Sequence, residues 1–201
     1  MSNRFTALIL FFSLLFIISC NKSGETPTGG STEPVIELTG PFPLHVGNSW
    51  TYRVSSFDAK GNNLGNSGSF TYQIDHDTTV SGERLYYFGS NGVGLYYLNR
   101  STGVWNYNKG TFLPLLKYPS SKNTWYTSTG GNMRVVSVDS TIVVPKGRYS
   151  CYQYRLSQST PAFDYYFASG VGLVRIDFFD VADSVGTYVA TRYELADYTL
   201  N

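Results

Sequence analysis

Turn residues recur every eight to twelve positions from Pro41 onward, and that punctuation leaves room for little except short strands. The turns fall at Gly61-Asn62-Asn63, Ser81-Gly82, Asn91-Gly92, Thr102-Gly103, Lys109-Gly110, Gly130-Gly131, Lys146-Gly147 and Ser169-Gly170. Between them lie runs rich in Tyr, Phe, Val and Thr, the residues that suit a pleated, half-buried surface. Several runs alternate with period two. Phe70, Tyr72 and Ile74 share one face and Thr71, Gln73 and Asp75 the other; Tyr152, Tyr154 and Leu156 oppose Gln153 and Arg155; Val174, Ile176 and Phe178 oppose Arg175 and Asp177. One dry face and one wet face define an antiparallel sheet covering a core. No helical period is evident after the first 40 residues, and the best candidate, Phe112 to Lys117, is at most one turn. The expected fold is all-β: a single domain over 40–201, with about ten to twelve antiparallel strands forming a strongly curved sheet, a half-barrel or a sandwich.

Two halves of this region echo each other at a spacing of roughly 75 to 80 residues, the mark of an internal duplication. Pro43 to Trp50 answers Pro119 to Trp125, and Tyr72-Gln73 answers Tyr152-Gln153. Tyr86-Tyr87-Phe88 answers Tyr165-Tyr166-Phe167, and Val93-Gly94-Leu95 answers Val171-Gly172-Leu173. The expectation is two similar β-meanders in one sheet system.

The N-terminus has a different character. Arg4 precedes an apolar run from Phe5 to Ile18, which is the pattern of a secretory signal and short of the roughly 20 residues that span a bilayer. Ile17-Ile18-Ser19-Cys20 resembles the lipobox of bacterial lipoproteins, with Ile17 in place of the more usual leucine. The resemblance implies cleavage before Cys20 and lipidation of that cysteine, palmitate included, so that the membrane is the partner of the N-terminus. Several acyl chains make such anchoring stable, where one is marginal. Residues 1–19 are then the signal peptide and 20–39 the lipidated cysteine and a tether. The tether is rich in Ser, Thr, Gly, Pro and Glu, which cannot bury enough apolar surface to fold. Its r.m.s. reach is about 25 Å. Asn21 stands where an aspartate tends to retain lipoproteins in the inner membrane, so the expected location is the outer membrane.

The body also resembles uncharacterised all-β envelope lipoproteins that open on P-L-x-x-G-N-x-W, continue with V-P-x-G-x-[FY]-x-C-Y and close on Y-Y-x-x-x-G-V-G-L-V. Here the motifs are Pro43 to Trp50, Val144 to Tyr152, and Tyr165 to Val174. The resemblance implies an open, curved antiparallel sheet, comparable with the half-barrels that carry lipoproteins or lipids across the periplasm. Those carriers plug their concave face with helices. The motifs are structural, not catalytic.

Charge and chemistry exclude more than they select. Removing Arg4 from 15 basic and 14 acidic residues leaves 14 of each, so the mature chain has no electrostatic reason to seek nucleic acid. With Cys20 lipidated, Cys151 has no partner and is expected to be buried. There are two histidines, His45 and His76. Asp75-His76-Asp77 places the imidazole opposite both carboxylates on a strand, so no metal site is expected there. Asp177, Asp180 and Asp183 are expected to surround a solvated hairpin closing at Ser184 to Gly186. No catalytic motif, cofactor loop or metal motif is present, and the expectation is a non-enzymatic protein. The aromatics remain. Tyr87, Tyr97, Trp105, Trp125 and Tyr166 are the candidate ligand-facing residues, for an apolar ligand or a glycan.

Overall fold

The computed structural model describes residues 42–157 and 162–201. The signal peptide, Cys20 and the tether over 21–39 lie outside the described residues, as do residues 158–161. Twelve strands follow one another: β1 (Ser49–Phe57), β2 (Asn63–Val80), β3 (Glu83–Ser90), β4 (Val93–Arg100), β5 (Gly103–Asn108), β6 (Thr111–Lys117), β7 (Trp125–Ser128), β8 (Gly131–Val144), β9 (Gly147–Ser157), β10 (Phe163–Ala168), β11 (Gly172–Ala182) and β12 (Gly186–Thr199). They form one antiparallel sheet in the order β6-β5-β4-β3-β2-β1-β12-β11-β10-β9-β8-β7. Two six-stranded meanders are thus joined where the first strand pairs the last, with Arg53 opposite Glu194 and Val54 opposite Tyr193. Among the described residues there is no helix.

The single sheet rules out a sandwich and curls into a nearly closed barrel. Its two edges, β6 and β7, are consecutive in sequence and come together without a ladder. Side chains bridge them instead. The Tyr126 hydroxyl donates to Leu115 O at 3.3 Å and accepts from Lys117 N at 3.2 Å. The Ser128 hydroxyl donates to Leu115 O at 3.4 Å, and the Tyr154 hydroxyl to Lys117 O at 2.8 Å. Residues 112–117 belong to the edge strand β6, not to a helical turn. Pro114, opposite Trp105, is tolerated there because an edge strand has one side on which no N–H is required.

The sequence echoes fall on β2 and β9, β3 and β10, and β4 and β11, three consecutive strands in one order. The tryptophans depart from that pattern: Trp50 in β1 is fully buried, whereas Trp125 in β7 is 56% exposed.

The motif residues fill one end of the barrel, where β1 begins and β12 finishes. Phe42, which precedes the first strand, plugs this end. Its ring lies 5.0 Å from Trp50, 5.1 Å from Phe88 and 6.1 Å from Phe167, so it touches rings from both meanders. Gly172 leaves space for it: with φ at 98°, a Cβ there would stand 2.4 Å from the Phe42 ring. Buried Asn48 donates to Pro43 O at 2.7 Å and accepts from Asn201 N at 2.7 Å, tying the start of the barrel to the end of the chain. The Trp50 indole donates to Val171 O at 2.7 Å. In the second motif segment Lys146 N donates to Leu195 O at 3.1 Å, which docks the β8–β9 turn on β12. Cys151 is buried, and burial pushes its thiol up to about 12.

Candidate functional site

Alternation assigns each strand an inner and an outer face, and the two differ in chemistry. Beyond the Phe42 plug, the inner wall is aromatic. Six rings run without a break from β2 across β12 and β11 to β10. Tyr72 is 5.1 Å from Phe70, Phe70 4.9 Å from Tyr193, and Tyr193 4.6 Å from Phe178. Phe178 is 5.2 Å from Phe163, and Phe163 is 6.5 Å from Tyr165. All six are half-buried while packing on the core. From the opposite wall Tyr97 of β4 points inward, where burial first and then the neighbouring phenols of Tyr72 and Tyr165 raise its pKa. Burial, then Tyr72, pushes Tyr165 up to about 12. Tyr72 and Tyr193 are raised in the same direction, again chiefly by burial. Tyr97 and Tyr165 keep accessible surface while packing against the core from the inner face of β4 and β10.

The hydroxyls divide into two sets. Those of Tyr52, Tyr126 and Tyr154 donate to Leu173 O, Leu115 O and Lys117 O and belong to the frame. Those of Tyr72, Tyr97, Tyr165 and Tyr193 have no hydrogen-bond partner among the described residues. Beside β2 a cleft of about 330 Å³ is lined by Ser69, Phe70, Thr71, Gln73, Ser90 and Asn91. It exists because β3 pairs with β2 only from Gln73 onward, leaving the stretch before it without a neighbour on that side. Thr71 and Gln73 belong to the outer face of β2, and Phe70 is also an inner-wall ring.

The outer face of β9 to β12 carries charges in pairs. Asp164 and Asp177 are 1% and 2% exposed. Arg155 donates twice to Asp164, each at 2.6 Å; Arg175 reaches Asp177 at 2.6 Å and Arg192 does so at 2.7 Å. Asp177 therefore corrects the expectation of a solvated carboxylate: it lies on the outer face, but arginines from β11 and β12 cover it. Asp180 and Asp183 are exposed, as expected of a turn. His76 stacks on Tyr87 at 4.8 Å, and among the described residues no group of His, Cys, Asp and Glu side chains could hold a metal ion.

Of the five candidate aromatics, Tyr97 alone is a half-buried ring on the inner wall. Tyr87 lies in an outer row in which His76, Tyr87, Tyr96, Tyr107 and Phe112 stand opposite one another across β2 to β6. Tyr87 and Tyr96 meet at 63°, so the row is not a flat platform. Trp105 is outside under Arg100, 4.5 Å from its guanidinium carbon. Trp125 is outside beside Arg134, and Tyr166 is buried beneath Arg175. The structure brings these five to no common place. The lumen residues missing from that set, Phe70, Tyr72, Phe163, Tyr165, Phe178 and Tyr193, share the dry face of their alternating strands. That signal was available, but it equally describes an ordinary filled core.

The fold and site define an antiparallel barrel of one sheet with a largely aromatic inner wall. No family model matches the sequence, and no curated protein matches it. Among solved structures, a candidate exported protein of Bacteroides fragilis NCTC 9343 with a YmcC-like fold is similar at a TM-score of 0.42 and 12% identity, over 79% of this chain and 98% of that one. A candidate lipoprotein of Parabacteroides distasonis ATCC 8503 is similar at a TM-score of 0.41 and 15% identity, over 80% of this chain and 99% of that one. At such scores neither neighbour defines the fold or the activity of this chain.

Proposed function

We propose that this chain is a non-enzymatic lipoprotein of the bacterial outer membrane, anchored through Cys20, whose barrel holds an apolar ligand against its inner wall. The observation that carries the reading is the unbroken arc of rings from Tyr72 to Tyr165, half-buried beside phenols that have no partner among the described residues. A closed structural core buries its rings completely and pairs its hydroxyls. The lipobox at Cys20 and the polar segment after it support the anchor and its tether. The outer aromatics, which do not lie in one plane, give less support to glycan binding than the lumen gives to an apolar ligand.

Native mass spectrometry of residues 40–201, which lack the lipidated cysteine, purified from a bacterial periplasm without detergent tests the ligand. A reproducible added mass of apolar chemistry is expected. A bare mass that no lipid or glycan panel shifts would overturn the reading in favour of a structural or protein-partner role. The anchor is tested by Cys20→Ala, which is expected to leave the membrane fraction; a variant still recovered there as a lipid-modified species would sink that part.

A further inference from the structure

The seven ion pairs given by the described residues involve Arg53, Arg84, Arg100, Lys146, Arg155, Arg175 and Arg192. One pair falls on the inner-face side: Arg84 alternates with Tyr86 and Phe88 on β3, and its partner Asp77 stands opposite Tyr86, so the two charges neutralise each other. Apart from that pair, the residues lining the wall, strand by strand, are uncharged. Val54 comes from β1, Phe70 and Tyr72 from β2, Phe88 from β3, and Tyr97 from β4. Asn106 comes from β5, Tyr126 from β7, Met133 and Val135 from β8, and Tyr154 from β9. Phe163 and Tyr165 come from β10, Ile176 and Phe178 from β11, and Tyr193 from β12. The polar groups left open to the lumen are phenol hydroxyls, which can both donate and accept.

A charged head group brought into this space meets no unpaired counter-charge. An unpaired ion taken out of water loses more than hydrogen bonds to phenols return. For a cation the ring faces return only part of that loss. A neutral hydroxyl or carbonyl loses far less on leaving water and meets the waiting phenols at hydrogen-bonding range. Resting on the lumen reading above, we infer that the ligand is an uncharged amphiphile, whose apolar body lies on the Phe70–Phe178 arc and whose neutral polar group is held among the hydroxyls of Tyr72, Tyr97 and Tyr165.

The test uses the full mature chain made without lipid by Cys20→Ala, and three probes of one chain length: 1-dodecanol, dodecanoate and dodecylammonium. Binding is followed by the thermal shift and by isothermal titration at neutral pH. Dodecanol is expected to bind at least about tenfold more tightly than either ion. In Tyr97→Phe/Tyr165→Phe that preference is expected to shrink while the fold persists, because neither hydroxyl has a partner to lose among the described residues. Equal or tighter binding of dodecanoate or dodecylammonium would overturn the neutral-ligand inference and leave the lumen reading standing. Failure of all three to bind a folded protein would overturn the lumen reading itself, and the inference with it.

Discussion

Asp164 and Asp177 face each other directly across β10 and β11 on the outside of the barrel, and both carboxylates are buried. Like charges in that arrangement repel. The pair is tolerated because Arg155, Arg175 and Arg192 close over it from three strands. Asp177→Asn removes an anion that holds two of those arginines and leaves them against a neutral amide. The arginine side chains are 17% and 24% exposed, so water moderates the loss. A destabilisation of about 2–3 kcal/mol is expected in urea titrations, at the low end for a broken buried pair. Asp197→Asn, at the exposed pair with Lys146, is expected to leave the urea midpoint unmoved.

Phe42 and Gly172 are one packing unit. Phe42→Ala opens a cavity among Trp50, Phe88 and Phe167 and is expected to cost about 3–5 kcal/mol. Gly172→Ala alone strains a backbone at positive φ and drives a methyl group into the ring. Together the two changes are expected to cost less than the sum of each, since the first removes the atoms that the second strikes. Strict additivity in a double-mutant cycle would mean that the plug is not seated as described.

The seam between β6 and β7 hangs on few bonds. Tyr126→Phe deletes the bridge to both Leu115 O and Lys117 N and is expected to cost about 1–2 kcal/mol. The sharper readout is hydrogen exchange. The Lys117 amide is expected to lose protection while amides in the β1–β12 ladder keep theirs.

Alkaline pH bears on the lumen. Tyr165 ionises at about 12 in the folded chain against 10.0 ordinarily, because burial favours the neutral phenol. Between about pH 10 and 12 the unfolded chain has shed a proton that the folded chain keeps, so stability falls as pH rises through that window. Tyr72, Tyr97 and Tyr193 shift in the same direction and add to the loss. Urea midpoints are expected to hold level to about pH 9 and to drop steeply above 10. Tyrosinate absorbance is expected to appear together with unfolding. Lumen phenols that ionise near 10 in a folded chain would show that water fills the barrel freely.

The all-β class, the strand faces and the hairpin turns are decided locally. They were legible because a period of two and residues such as Asn91-Gly92 act within a few positions of themselves. What required the tertiary structure was whatever depends on partners far along the chain. β1 pairs with β12, which turns two meanders into one sheet and leaves β6 and β7 to meet at the seam. Phe42, which precedes the first strand and looks like the end of a linker, enters the core because Gly172 makes room for it 130 residues later (172 − 42). Asp177 sits on the face that alternation assigns to water and is buried nonetheless, because Arg192 belongs to the neighbouring strand. Alternation sorts Tyr86 from Tyr87 and Tyr165 from Tyr166, but it cannot tell a lumen from a filled core. That depends on how tightly one twelve-stranded sheet curls, and curvature is a property of all the strands together.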